Sequence, residues 1–202
     1  MSKSLAAVAL ATLLLASASG AEEADFGRPG WYLGVGGGGS WDFVDDALQD
    51  ATNGAIGITS AGTFNARGGY RLTSWFALEG MYEGIYGYET EVNGVKQGNL
   101  DTHSLLVNLK LIVPTWRIQP YLVVGPGGQY GSFEGSGVLS ALDTSRWDFV
   151  LRAGVGIDGY LTEHLLLNVE LAPSIRFTDW IRATESTDNV AMTLSFGGQY
   201  RF

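Results

Sequence analysis

The sequence predicts an all-β fold, an eight-stranded antiparallel up-and-down β-barrel, and three observations predict it. Apolar residues recur at every second position in stretch after stretch beyond residue 30. The links between these stretches alternate between short and long. Aromatic side chains gather at the two ends of the stretches. Alternation with period two over about ten residues marks a strand with two unlike faces.

The first strand, about 31–40, sets glycines such as Gly34 and Gly36 at alternate positions. The second, about 62–72, places Phe64, Ala66, Tyr70 and Leu72 against Thr63, Asn65, Arg67 and Arg71. The third, about 75–86, carries Glu79 and Glu83 on one face. In the fourth, about 102–113, Leu105, Val107, Leu109, Leu111 and Val113 alternate with Ser104, Asn108 and Lys110, with Leu106 and Ile112 breaking the polarity. The fifth spans about 119–130. The sixth, about 146–160, alternates Trp147, Phe149, Leu151, Ala153, Val155 and Ile157 with Asp148, Arg152 and Asp158. The seventh, about 165–177, alternates Leu165, Leu167, Val169 and Leu171 with Asn168 and Glu170. The eighth, about 190–202, ends in Tyr200-Arg201-Phe202. Short links at Thr73-Ser74, 114–117 and 161–164 lie at one end, and long polar links near 41–61, 87–101, 131–145 and 178–189 at the other. That is the connectivity of a meander closed on itself.

Composition narrows the function classes. The 202 residues carry 12 Lys+Arg against 21 Asp+Glu, a net charge of −9, and an acidic chain is a poor partner for nucleic acid. With no cysteine, disulfides, thiolate metal sites and cysteine nucleophiles are excluded. Residues 1–21 read as a secretory signal peptide: Lys3, an apolar run from Leu5 to Leu15 broken by Thr12, then small residues through Ala21. The remaining domain, 22–202, carries a net charge of −10 and no apolar run of the roughly 18 residues that a membrane helix needs.

Charge distribution tells which face is wet. On the polar face Arg67, Arg71, Lys110, Arg152, Arg176 and Arg201 nearly balance Glu79, Glu83, Asp148, Asp158 and Glu170, as ions sealed in a lumen must. The acidic excess falls in the links, at Asp42, Asp45, Asp46, Asp50, Glu89 and Glu91. The apolar face is nearly free of charge and is bounded by aromatics. Trp31, Trp75, Phe76, Trp116, Tyr200 and Phe202 lie near the short turns; Trp41, Phe43, Tyr86, Tyr88, Tyr130, Phe133, Trp147, Phe177 and Trp180 lie near the long loops. Two such girdles predict a transmembrane barrel whose apolar face meets lipid. Alternate-position glycines (Gly34, Gly36, Gly154, Gly156) suit a narrow lumen. Pro126 and Pro173 fall inside strands, where a closed barrel has no edge to hide them, so bulges or nearby strand ends are expected.

Gly69-Tyr70-Arg71-Leu72 followed by Trp75-Phe76-Ala77-Leu78-Glu79, the segment Gln119-Pro120-Tyr121-Leu122-Val123-Val124-Gly125, and the terminal Tyr200-Arg201-Phe202 together resemble the small eight-stranded outer-membrane barrels of the OmpA/OmpX type. The likeness covers about 30–202. It implies a bacterial outer-membrane location, contact with outer-membrane lipid and lipopolysaccharide, and no cofactor. It also implies that Tyr200 and Phe202 form the terminal aromatic signal read by the outer-membrane assembly machinery.

Fold does not supply activity. Eight strands leave an interior just wide enough to be filled by side chains, so Arg67, Arg71, Glu79, Glu83, Lys110, Arg152, Asp158, Glu170, Arg176 and Arg201 are expected to form an ion-pair network without a wide pore. No catalytic or metal site is expected: the two histidines are far apart, the acidic residues of 42–50 lack calcium-loop spacing, and Gly36–Gly39 is not followed by a phosphate-binding helix or lysine. In Asp101-Thr102-His103-Ser104, adjacent strand residues point to opposite faces, which separates His103 from Ser104. The expectation is a monomeric barrel of structural or surface-interaction type, meeting an extracellular partner through its long loops. The alternatives are a lipid A-modifying acyl hydrolase or transferase, a narrow solute channel, and a soluble lipocalin-like barrel.

Overall fold

The computed structural model describes residues 26–42, 56–58, 60–92, 95–135, 144–177 and 190–202. The expected signal segment 1–21, the acidic run Asp45, Asp46 and Asp50, and the aromatics Phe43 and Trp180 lie outside the described residues.

The strands are β1 (Gly30–Asp42), β2 (Ile56–Ile58), β3 (Ala61–Thr73), β4 (Phe76–Val92), β5 (Val95–Ile112), β6 (Ile118–Gly135), β7 (Thr144–Tyr160), β8 (Leu165–Phe177) and β9 (Val190–Arg201). Every pairing is antiparallel, and β1 joins β3 on one side and β9 on the other. The β4–β5 pairing closes the ring, so eight strands form the barrel and the short β2 is added to its sheet through β4.

The wall is inverted relative to a water-soluble protein. Leu105, Val107, Leu109, Leu111 and Val113 are exposed along β5 and just beyond it, while Ser104, Asn108 and Lys110 are buried. The same alternation runs through β3, whose buried positions include Asn65, Arg67 and Arg71. Leu106 and Ile112, which break the polarity of the sequence pattern, point inward and build small apolar patches between the polar layers.

Four features depart from the expectations. First, β4, β5 and β6 run well past the predicted strand ends, so the link expected at 87–101 is mostly paired strand, with Val92 opposite Val95. Asn93-Gly94, between them in sequence, is a residue pair strongly favoured in two-residue hairpins. Second, the first long link contains β2, which pairs with Thr90–Val92 as a continuation of the line of β3.

Third, Tyr88 is buried rather than interfacial. A register shift between Ile85 and Tyr88, at Gly87 with φ +85°, puts one extra residue in β4 and reverses which positions face inward. Fourth, neither proline introduces a bulge. On either side of Pro126 the β5–β6 register is unchanged, and on either side of Pro173 the β7–β8 register is unchanged; each proline merely interrupts pairing with one neighbour while its other neighbour pairs straight through. A missing N–H removes one ladder bond but does not require an added residue.

Candidate functional site

The lumen holds the chemistry. At its centre five residues from four strands form a chain of alternating charge. Arg67 Nη1 of β3 lies 3.0 Å from Glu170 Oε2 of β8 and 3.9 Å from Glu79 Oε1 of β4. Arg152 of β7 bridges the other way, with Nη1 donating to both Glu83 carboxylate oxygens at 2.8 Å and Nη2 to Glu170 Oε1 at 2.8 Å. Glu170 is thus shared by two guanidiniums. Arg152 has no exposed surface at all, and such a group persists only when its charge is matched; Nη1 and Nη2 are occupied by the two carboxylates, and Nε has no partner among the described residues.

Uncharged groups tighten the chain. The Tyr121 hydroxyl donates to Glu170 Oε2 at 2.8 Å, Tyr32 to Glu79 Oε2 at 3.1 Å, and Asn108 Nδ2 to Glu79 Oε1 at 3.1 Å. Toward the short turns, Lys110 Nζ meets Asp158 Oδ2 at 2.7 Å and sits 3.6 Å above the Tyr121 ring. Two tyrosine rings occupy the lumen because glycines face them: a Cβ at Gly156 would intrude on Tyr121, and one at Gly69 on Tyr32.

Arg71 and Arg201 differ from the expected ion-pair network. Neither has a carboxylate partner among the described residues. Arg71 donates to the Phe26 carbonyl at 2.9 Å, to Gln119 Oε1 at 2.9 Å and to the carbonyls of Thr73 and Ser74. Arg201 donates to the same Phe26 carbonyl at 2.8 Å and to that of Arg28. The segment 26–29 therefore caps the turn-side mouth, with Phe26 buried against Tyr160. Arg176 lies at the loop side, with Glu83, Ser174 and Thr193 around a cavity of about 10 Å³.

Sequence reasoning missed Tyr32, Tyr121 and Phe26. Parity signals the first two, since Tyr32 alternates with outward Trp31 and Leu33, and Tyr121 shares its face with Gln119. Phe26 precedes the first strand and gave no periodic signal.

On the outer wall, Trp31, Trp75 and Trp116 are exposed near the short turns, and Trp41 and Trp147 near the loops. Tyr200 and Phe202 point outward and meet edge to face at 5.2 Å. His103 accepts or donates a 2.7 Å hydrogen bond with the Tyr82 hydroxyl, whereas Ser104 is buried in the lumen and accepts from Gln129 at 3.1 Å. Asp101 Oδ1 accepts from the Gly87 N–H at 3.0 Å. The three therefore do not converge on one reacting atom. His164, in the β7–β8 turn, is 3.1 Å from Arg28 Nη2. Among the described residues no three His, Cys, Asp or Glu side chains gather as a metal site.

A closed ring without edges, an apolar exterior and an ionic interior define a transmembrane β-barrel, because lipid leaves no partner for an unpaired strand edge. The chain belongs to the outer membrane protein beta-barrel domain family, whose model matches residues 7–202, and the protein resides in the bacterial outer membrane. Its fold is similar to neisserial surface protein A, with TM-score 0.60, 14% identity, and 85% of this chain and 96% of that one covered. It is also similar to the N-terminal barrel domain of OprF from Pseudomonas aeruginosa, at TM-score 0.56, 14% identity, and 87% and 100% coverage. Ail from Yersinia pestis is similar at TM-score 0.52, 14% identity, and 87% and 99% coverage. No curated protein sequence matches the chain significantly.

Proposed function

We propose that this protein is a sealed outer-membrane barrel of structural or surface-interaction type, in which the side chains of the lumen stabilise the wall rather than conduct solute. The observation that carries the reading is the Glu79–Arg67–Glu170–Arg152–Glu83 chain crossing the barrel interior. Two cavities of the lumen, of about 10 and 20 Å³, are each of the size of a single water, which supports the sealed reading. The tryptophan rows serve as interfacial anchors against outer-membrane lipid and lipopolysaccharide. Tyr200 and Phe202 present the last strand to the assembly machinery.

Planar-bilayer recording tests the sealed lumen. The refolded protein should give no steady open-channel steps; reproducible steps would favour the solute-channel reading.

Recognition through the loop side is supported by β4 to β7, which carry the sheet beyond the aromatic row, and by β2, which pairs with β4 there. Loops on a rigid scaffold tolerate change and carry binding. Deleting residues 44–58 removes β2 but no strand of the closed ring. The deletion variant should still insert, resist extraction from membranes and migrate as a heat-modifiable band on gels. Failure to assemble would make this loop part of the folding core instead.

A further inference from the structure

The turn-side end of the lumen carries an excess of positive charge that the ion-pair chain does not balance. Arg71 and Arg201 are 3% and 2% exposed, and among the described residues every acceptor they reach is neutral. Both donate to the single carbonyl of Phe26, so the two guanidiniums are close neighbours. They come together because β1 lies between their strands and presents Gly30 opposite Arg71, with no side chain to keep them apart.

Beside them is a cavity of about 20 Å³, lined by Arg71, Arg201, Lys110, Gln199, Asp158 and Tyr160 among others. Lys110 and Asp158 already form a pair at 2.7 Å. Among the described residues, two cations without a carboxylate partner therefore line the cavity. Two of the residues lining it, Arg201 and Gln199, each carry a buried donor (Nε and Nε2) with no hydrogen-bond partner among the described residues. Burying like charges side by side in a medium of low dielectric constant is unfavourable unless an opposite charge accompanies them.

We propose that this cavity is a binding site for one small monovalent anion, chloride in ordinary salt, held by Arg201 Nε and Gln199 Nε2 in the field of both arginines. The volume admits a body of about the size of one water and excludes sulfate or phosphate. Asp158, another lining residue, also has a buried atom, Oδ1, with no partner among the described residues, and it sets the competing occupant: a water could bridge it to Arg201 Nε. The site stands whether or not the lumen conducts.

Bromide substitution decides between anion and water. Crystals of the full chain grown with sodium bromide in place of chloride should show an anomalous bromine peak in this cavity, beside Arg201 and Gln199. No peak there, with density for a water alone, overturns the proposal. In solution, raising chloride at fixed ionic strength with gluconate as the balancing anion should favour the folded state. Beyond the dissociation constant, each tenfold rise in chloride should shift the unfolding equilibrium about tenfold. Gln199→Leu, which keeps both arginines, should blunt that dependence. Equal unfolding midpoints for the unaltered protein across the chloride series would refute binding.

Discussion

Arg152→Met is expected to cost about 3–5 kcal/mol of folding stability, the range found when one partner of a buried ion pair is removed and the other is stranded. The stranded group is Glu83, whose two carboxylate oxygens both take their hydrogen bonds from Arg152 Nη1 at 2.8 Å. Glu170 loses one of two guanidiniums but keeps Arg67 at 3.0 Å and the Tyr121 hydroxyl at 2.8 Å. Urea unfolding of the refolded variant, followed by tryptophan fluorescence, measures the loss. The double variant Arg152→Met/Glu83→Met separates desolvated charge from mere packing. With both charges gone, stability should return toward that of the unaltered protein, because a buried pair replaced by apolar groups of similar size is often neutral. A double variant as unstable as the single one would mean that Arg152 acts through its shape or through Glu170, and not through its charge balance with Glu83.

That network was partly legible from sequence. Parity alone places Arg67, Glu79, Glu83, Arg152 and Glu170 on one face, and closure of the sheet brings those faces together. Which cation meets which anion was not legible. Partners such as Arg67 and Glu170 lie on strands that share no hydrogen bonds and meet only across the lumen, at a height set by the stagger of the closed barrel. The reach of Arg71 and Arg201 to backbone carbonyls depends on Phe26, in a segment with no periodicity to read. Tyr88 shows the complementary limit. Parity counting is sound until a bulge adds a residue, and Gly87 in the left-handed region adds one two positions beyond the last regular pair. The long link at 87–101 hid paired strand for a related reason: polar composition marks a solvated surface, and a strand that stands above the membrane is solvated on its outer side too.

The wall makes the sharper test of where the protein lives. Val107 lies about midway along the outer face of β5 between His103, opposite Tyr130 of the loop-side aromatic row, and the turn-side strand end. It is 56% exposed, a valine presented to its surroundings by a barrel whose interior is filled with charge. In water, replacing an exposed valine by arginine on a strand is a surface change worth no more than about 0.5 kcal/mol. In hydrocarbon the same change at the midplane should cost about 2–4 kcal/mol, falling to about 0–1 kcal/mol near an interface. Val113, on the same face and 51% exposed, supplies the interfacial control. Six residues of extended strand advance about 20 Å, which at the usual barrel tilt is about 15 Å of depth, half the hydrocarbon thickness. Val107→Arg should therefore destabilise the refolded barrel in bilayers by several times as much as Val113→Arg, read from the shift in urea midpoint at unchanged slope. A detergent that shields the wall poorly should shrink the difference. Equal, small effects at both positions would put this face in water, and the tryptophan rows would then need another explanation than the two edges of a membrane.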